Sequence, residues 1–386
     1  MQYNNPKSNP ERTKPMKIGT VKEIKTHEYR VGLTPSNVRD YIANGHDVYV
    51  QKGAGDGASF SSEEYAAAGA KILDTAQEVW ATCDMIVKVK EPLADEYPHM
   101  REGQIIYTYL HLAASRELTE AMVKSKCKGV AYETIEDKTG GLPLLRPMSE
   151  IAGKLSVQAG AKSLEKPMGG RGVLMGGAVG VKKAECVIIG AGVVGTAALK
   201  MAVGLGANVT ILDKNIDRLT YLDDVFGSRI QTLYSTNAAI EEALPKADLV
   251  VGAVLIPGAK APKLIKREHL KTMKPGAVIV DVAVDQGGCA ETTKATYHDA
   301  PTFVVDGIVH YCVANMPGAV SQTSTTALTN ATLDYGLKIA NMGLEAAVAQ
   351  DEGFKLGINC YNGYLTCKEV AEAFDMEYTP ICKVLG

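Results

Sequence analysis

From Met16 onward, short apolar runs alternate with longer stretches in which apolar residues return every three or four positions. Runs of the first kind suit strands buried on both faces, and stretches of the second kind suit amphipathic helices. In the first part of the chain MKIGTVKE, HDVYVQK, DMIVKVK, QIIYTYLHL and GVAYETI read as strands. SSEEYAAAG, RELTEAMVKS and a stretch opening at Thr34-Pro35 read as helices, and GAGDGASF as a glycine-rich loop. Proline suits the first helical turn, where its missing N–H costs nothing. The loop KTGGLPLLRP at 138–147 marks a boundary, and a long helix from Ser149 to about Lys166 leaves it.

Beyond that helix the alternation resumes. ECVIIG, ANVTILD, RIQTLYS, ADLVVGAVL, KPGAVIVDVAV and TFVVDGIVHYCV form about six strands with helices between them. After Asn315-Met316-Pro317 the pattern is helical through 320–352. Strands separated by crossover helices pair in parallel. The expected fold is therefore α/β, with two doubly wound Rossmann-like domains. The second (144–319) is inserted into a discontinuous first (16–143 and 320–386). The early residues would then form the other wall of a cleft.

Composition narrows the function classes. Hydrophobic residues make up 46% of the 386 and charged residues 22%, ordinary values for a soluble globular protein. A net charge of −3 gives no electrostatic reason to expect nucleic acid or an anionic membrane. No apolar run approaches the ~18 residues needed to span a bilayer. The eight cysteines are scattered without a CxxC pair, which suits buried free thiols in a reducing compartment. The seven histidines form no HxxxH or HExxH cluster, so no metal is expected. Residues 1–15, MQYNNPKSNPERTKP, lack the apolar core of a signal peptide and read as a disordered leader on a cytoplasmic protein.

The sharpest chemical signal is Gly190-Ala191-Gly192-Val193-Val194-Gly195, a G-x-G-x-x-G directly after the strand ECVII and at the start of a helix. In that context the first glycine makes the turn, the second admits a pyrophosphate and the third packs helix on strand. The helix N-terminus adds amides and partial positive charge. Asp213 ends the next strand, where a carboxylate can hold the adenine ribose hydroxyls and repel a 2′-phosphate. That favours NAD over NADP, and Arg218, a few residues on, could soften the preference.

A dinucleotide enzyme acting on a small acid also needs a carboxylate clamp and a proton-transfer group. Arg30, in THEYRVGLTP, suits bidentate carboxylate binding. Lys90 ends the strand DMIVKVK, but Lys88 alternates on the same pattern, and pattern alone leaves the choice open. His111 follows IIYTYL at a strand end, the position that favours general acid–base work over a core role. Asp285 meets the loop Gln286-Gly287-Gly288, while Asp281 in the preceding strand reads as structural.

Taken together, KEIKTHEYRVGLTP, KVKEP, LHLAAS, PMSEIAG, GGRGVLMGG, IGAGVVG, LIPGAKAPKL, VDVAVDQGGC and YCVANMPGAV resemble the bacterial L-alanine dehydrogenases across nearly the whole chain from Met16. The resemblance implies reversible NAD-dependent conversion of L-alanine into pyruvate and ammonia, and a homo-oligomer, usually a hexamer. It makes Arg30 the substrate-carboxylate arginine and Lys90, rather than Lys88, the substrate-binding lysine. His111 and Asp285 become the catalytic pair: His111 activates the water that adds to the imine, and Asp285 stabilises the iminium. Domain 144–319 becomes the NAD domain, and 16–143 with 320–386 the substrate domain. The implied cofactor contacts, beyond Gly190, Gly192, Gly195 and Asp285 itself, are Ser149, Val193, Val194, Asp213, Arg218, Ser235, Val254, Leu255, Val282, Ala283, Val284, Lys294, Val313, Ala314, Asn315 and Met316. Arg218 is Lys in some relatives, and residues 1–15 lie outside the resemblance.

Two other readings compete. A soluble nucleotide domain of a proton-translocating transhydrogenase would carry an Arg-Gln-Asp trio after the junction, yet neither Arg nor Asp occurs between Ser149 and Leu155. A non-catalytic NAD sensor would be expected to lack one of Arg30, Lys90, His111 and Asp285, and all four are present.

Overall fold

The computed structural model describes residues 14–254 and 261–385, and these divide into two compact units. One holds the described residues up to Pro147 together with those from Val320 onward; the other is Met148–Ala319. All of the leader except Lys14 and Pro15, and the cofactor candidate Leu255, lie outside the described residues.

The first unit opens with β1 (Lys17–Thr20), β2 (Asp47–Gln51), β3 (Lys71–Leu73), β4 (Met85–Val87), β5 (Ile105–Thr108) and β6 (Lys128–Ala131). These strands pair in parallel in the order β6-β5-β4-β1-β2-β3, so the winding direction reverses between β1 and β4. In a doubly wound sheet, the crevice beyond the strand ends at such a reversal is where ligands bind. Helix Pro35–Ala43 starts at the anticipated proline: the Thr34 hydroxyl accepts the Asn37 amide (3.3 Å), and the Asn37 carboxamide accepts the Thr34 amide (3.0 Å). The helix Ala76–Thr82 was not anticipated, although Thr75 and Glu78 form the reciprocal cap that T-x-x-E announces. It brings Trp80 and Val79 into a core shared with Ile86, Ile106, Leu110 and Met122.

The second unit contains β7 (Glu185–Ile189), β8 (Asn208–Asp213), β9 (Ile230–Tyr234), β10 (Leu249–Gly252), β11 (Val278–Asp281), β12 (Thr302–Val305) and β13 (Ile308–Tyr311), in the order β12-β13-β11-β10-β7-β8-β9. Alternate residues of β7 enter different cores, Cys186 and Ile188 one, Val187 and Ile189 the other. That is why the strand reads as an unbroken apolar run: both faces are covered. Winding reverses here between β7 and β10.

Two expectations change. TFVVDGIVHYCV is a hairpin of antiparallel β12 and β13, turning at Asp306 (φ 48°) and Gly307 (φ 81°). Asp-Gly with both φ positive is the turn whose twist matches paired strands. The long helix runs over Arg146–Ser163, earlier than anticipated at both ends. Pro147 fits its first turn, and after Ser163 the chain turns extended at Glu165 (φ −67°, ψ 145°) before a separate 3-10 turn, Lys166–Met168.

Helix Ser321–Met342 opens the chain's return to the first unit. There β14 (Ile358–Tyr361) and β15 (Tyr364–Leu365) extend the first sheet antiparallel beyond β6, making eight strands. These strands were not anticipated, and their turn is again a positive-φ pair, Asn362 and Gly363.

Candidate active site

In the first unit the candidate residues lie just beyond the ends of β1, β4 and β5, at the winding reversal. β4 ends at Val87 rather than at Lys90 because the Glu23 carboxylate accepts the amides of Val89 (2.7 Å) and Lys90 (3.2 Å). Lys88 is wholly buried and pairs with Glu23 (3.1 Å) and Glu96 (2.9 Å). Burial pulls the Lys88 ammonium down, but the two carboxylates outweigh it and raise it. Burial raises Glu23, which shares this one cation with Glu96. Lys88 is therefore a structural cation.

Lys90 is the opposite case. Its ammonium has no hydrogen-bond or ion-pair partner among the described residues. Its pKa is shifted the other way: burial, and then the positive charge of Arg30, lower it. Arg30, also buried, is gripped by Glu28, whose carboxylate accepts from Nε (2.7 Å), from a terminal nitrogen (2.6 Å) and from the backbone amide (3.1 Å). A buried cation and a half-buried one are thus brought together, with the ammonium unpaired among the described residues. That arrangement calls for an anion.

His111 sits beyond the end of β5 with φ 47° and ψ 37°, a left-handed conformation uncommon for a side-chain-bearing residue. Glu133 holds it there, accepting the amides of Leu110 (3.0 Å) and His111 (2.6 Å). The ring stacks on Tyr109 at 5.8 Å between centroids, and Nδ1 lies 3.0 Å from Glu91 Oε2. Glu91 is also bonded to Lys25. Burial alone would raise the Glu91 carboxyl, but His111 and Lys25 outweigh it and hold it at about 2. Glu91, Lys25, Glu133 and Glu28 were not singled out from the sequence.

The register shows what signal could have found them. Val87 pairs with Tyr107, and four residues further on each strand come Glu91 and His111. Thr108 pairs with Ala131, and two further come Leu110 and Glu133. Gly19 pairs with Ile86, and five further come Ile24, the neighbour of Lys25, and Glu91.

In the second unit the glycine motif occupies the turn from β7 into helix Val193–Gly204. Gly190 has φ 104°, and a Cβ there would lie 2.7 Å from the Ala253 carbonyl oxygen. A Cβ on Gly195 would lie 1.8 Å from the Gly190 oxygen, and one on Gly192 would meet nothing within 4 Å. Two glycines are closed by protein and the middle one faces open space. No side chain caps the helix, so its first-turn amides remain available. These residues fit a dinucleotide pyrophosphate.

Asp213 at the end of β8 accepts the amides of Ala191 (2.5 Å) and Asn215 (2.8 Å), tying the glycine loop to the strand. Arg218 donates to the Ala191 carbonyl (2.9 Å) and the Thr196 hydroxyl (2.7 Å) and stacks on Tyr221. Val193 and Val194 form the first helical turn. Ser149 lies one turn before Gly153, whose hypothetical Cβ would meet the Val194 oxygen at 2.2 Å. The Ser235 amide donates to the Asp213 carbonyl (2.9 Å), and Val254 follows β10. Val282, Ala283, Val284 and Asp285 follow β11, with Asp285 exposed on a short 3-10 turn. Asp281 is fully buried and accepts from Cys289 (2.8 Å), Ala290 (3.2 Å) and Ala283 (3.2 Å), so it shapes the loop that carries Asp285. Lys294 is exposed and lies over the Phe303 ring at 4.4 Å. Val313, Ala314, Asn315 and Met316 follow β13, with Asn315 at φ 63°.

Residues 19–152 match the model of the Alanine dehydrogenase/PNT N-terminal domain, and residues 156–368 that of the C-terminal domain. The chain belongs to the alanine dehydrogenase/PNT family. The second match runs past Ala319 into residues that pack with the first unit. Alanine dehydrogenases of Halomonas elongata and Methanococcus maripaludis are similar to this family member at 54% and 56% identity, over 96% of this chain and 100% of theirs. A solved L-alanine dehydrogenase is similar at TM-score 0.91 and 52% identity, over 93% of this chain and 99% of that one. A transhydrogenase from Sinorhizobium meliloti is a more distant relative, at TM-score 0.78 and 26% identity, over 91% and 99%. Among the described residues no helix is long and apolar enough to cross a membrane, no cluster of acids, histidines and cysteines could hold a metal ion, and all eight cysteines are free.

Proposed function

We propose that this chain catalyses the reversible NAD-dependent oxidative deamination of L-alanine to pyruvate and ammonia. The observation that carries the site assignment is the pairing of buried Arg30 with half-buried Lys90, in which Glu28 engages the guanidinium and the ammonium has no hydrogen-bond or ion-pair partner among the described residues. A small substrate carboxylate is the anion such a pair selects. The full-length similarity to alanine dehydrogenases supports alanine as the substrate.

Arg30, pre-set by Glu28, receives the carboxylate in a fixed plane, and Lys90 adds the second charge. Together they hold Cα in one orientation, supplying proximity. The dinucleotide is held at Gly190, Gly192 and Gly195, by the amides opening helix Val193–Gly204 and by Asp213, with the other cofactor contacts those implied by the resemblance. When bound, NAD accepts the hydrogen that leaves Cα with its electron pair. What remains is the iminium of pyruvate. His111 takes a proton from the water that adds to the iminium carbon. It returns that proton to nitrogen and then takes the proton of the new hydroxyl as the C–N bond breaks, so that ammonia departs and the carbonyl forms. The role we assign to Asp285 is to balance the iminium charge. The same resemblance supports a cytoplasmic homohexamer.

The test is to mix the protein with pyruvate, ammonium and NADH and follow loss of reduced-nicotinamide absorbance, with a His111→Ala variant alongside. Turnover that needs all three reactants and fails in the variant is the expected result. NADH binding without turnover would refute the catalytic reading and leave the nucleotide site standing.

A further inference from the structure

We propose that Glu91 is the positioning residue for His111: its carboxylate, shared with Lys25, keeps hydrogen on Nδ1 and leaves Nε2 as the nitrogen that exchanges protons during turnover. The proposal rests on the assignment of His111 as the proton-transfer residue and deepens it.

The geometry is specific. Glu91 Oε2 lies 3.0 Å from Nδ1, the other carboxylate oxygen is engaged by Lys25, and the carboxyl group is only 14% exposed. An ionised carboxylate can only accept hydrogen bonds. Burial opposes ionisation of Glu91, and His111 and Lys25 overcome it, so across the neutral range Nδ1 must be the donor. A neutral imidazole has one N–H, so its basic lone pair falls on Nε2. The backbone is fixed as tightly as the ring: Glu133 secures the left-handed turn and Tyr109 stacks on the imidazole. With the side chain 39% exposed, the ring has room for an exchange partner.

Glu91 also places a negative charge beside the ring, 3.0 Å from Nδ1, as an orienting acid does in other histidine-based sites. Lys25 draws on the same carboxylate and opposes that effect. The remaining groups facing the pair do not substitute for Glu91. Glu133 is occupied by backbone amides, burial raises the hydroxyls of Tyr97 and Tyr109 so that both stay neutral, and Lys90 is a cation on the Glu91 side.

The two substitutions therefore act with opposite sign. Glu91→Gln should move the acid limb of alanine deamination to lower pH by about one unit and lower kcat about 10- to 100-fold, with KM for alanine little changed. Lys25→Met should move that limb to higher pH, because the carboxylate then serves His111 alone. A merely structural role would not produce shifts in opposite directions. Glu91→Asp should recover part of the lost kcat.

The second readout needs no turnover. In protein labelled with nitrogen-15 histidine, the signals absent from His111→Ala identify the ring. They should show the Nδ1–H form in the wild type and a mixture in Glu91→Gln. In the His111→Ala background, Glu91→Gln should cost nothing further. An unshifted limb with unchanged kcat, a change confined to KM, or a wild-type ring protonated on Nε2 would each overturn the proposal. Full turnover by His111→Ala would instead remove the catalytic assignment of His111, while the nitrogen spectrum would still report whether Glu91 fixes the ring.

Discussion

Two lysines two residues apart should fail in opposite ways, and the contrast can be worked from their surroundings. Lys88 is fully buried between Glu23 and Glu96, at 3.1 and 2.9 Å. Lys88→Met removes the one cation bonded to either carboxylate among the described residues and leaves both buried, a loss of about 3–5 kcal/mol. If the first unit melts as a block of roughly 200 residues, with about 2.1 cal/mol/K per residue near the midpoint, the entropy is about 0.4 kcal/mol/K and the melting point falls by roughly 7–12 °C. Lys90→Met removes a cation that has no ion-pair partner among the described residues and that burial and Arg30 already disfavour. Its melting point should hold or rise. Its kcat/KM for alanine should fall about a hundredfold, the equivalent of roughly 3 kcal/mol of lost carboxylate contact, with most of the loss in KM. Differential scanning calorimetry and steady-state kinetics on both variants check this. Equal melting-point losses, or a Lys90→Met enzyme with unchanged KM, would refute the reasoning.

The nucleotide loop separates in the same manner. Gly192→Ala places its Cβ in open space and should leave melting unchanged while abolishing NADH binding by fluorescence titration; Gly195→Ala, whose Cβ would lie 1.8 Å from the Gly190 oxygen, should lower the melting point as well. Asp213→Ser removes the carboxylate expected to repel a 2′-phosphate, and the ratio of kcat/KM for NADPH over NADH should rise about tenfold or more; an unchanged ratio would remove Asp213 from cofactor choice. Glu91 is depressed to about 2 in the folded chain from an ordinary 4.5, so its stabilisation is complete above about pH 4.5 and fades as pH falls toward 2. Glu91→Gln should flatten that stretch of the acid-unfolding curve by on the order of 2 kcal/mol, given screening at the half-exposed Lys25; a curve parallel to wild type in that window would count against the pairing.

Much of the architecture was legible because it depends on local pattern. Unbroken apolar runs such as Cys186–Ile189 announce strands covered on both faces, and Thr34-Pro35 announces a helix start. What escaped was also written locally, in signs of another kind. Asp306-Gly307 is a hairpin turn inside a stretch read as one strand, and Asn362-Gly363 is one beyond residue 352, where no element was read, so one strand became two and the last two strands were missed. Thr75 and Glu78 announced a helix too short to show periodicity. The long helix was displaced because its start was placed at Ser149 although Pro147 already fits a first turn.

The site divides along a different line. Glycine spacing after a strand is a local signal, and Gly190, Gly192 and Gly195 stand at the β7–helix turn with the closed, open, closed arrangement a pyrophosphate requires. Lys88 and Lys90 could not be told apart locally, since alternation treats them alike; in the fold Glu23 and Glu96 claim Lys88 and not Lys90. Glu91 and Glu133 were further from view because their contacts exist only in register. Neither residue is unusual in its own segment, and each acquires its partner when a neighbouring parallel strand ends at the same level. The pairing of Val87 with Tyr107 therefore sets the Glu91–His111 contact as well as the sheet. A slip of one residue between β4 and β5 would carry Glu91 past His111 and turn alternate side chains to the opposite face. The apolar residues that hold β4 and β5 in register, Met85, Ile86, Ile105 and Ile106, keep the carboxylate 3.0 Å from the imidazole. Core packing and the Glu91–His111 contact are thus specified by the same four side chains.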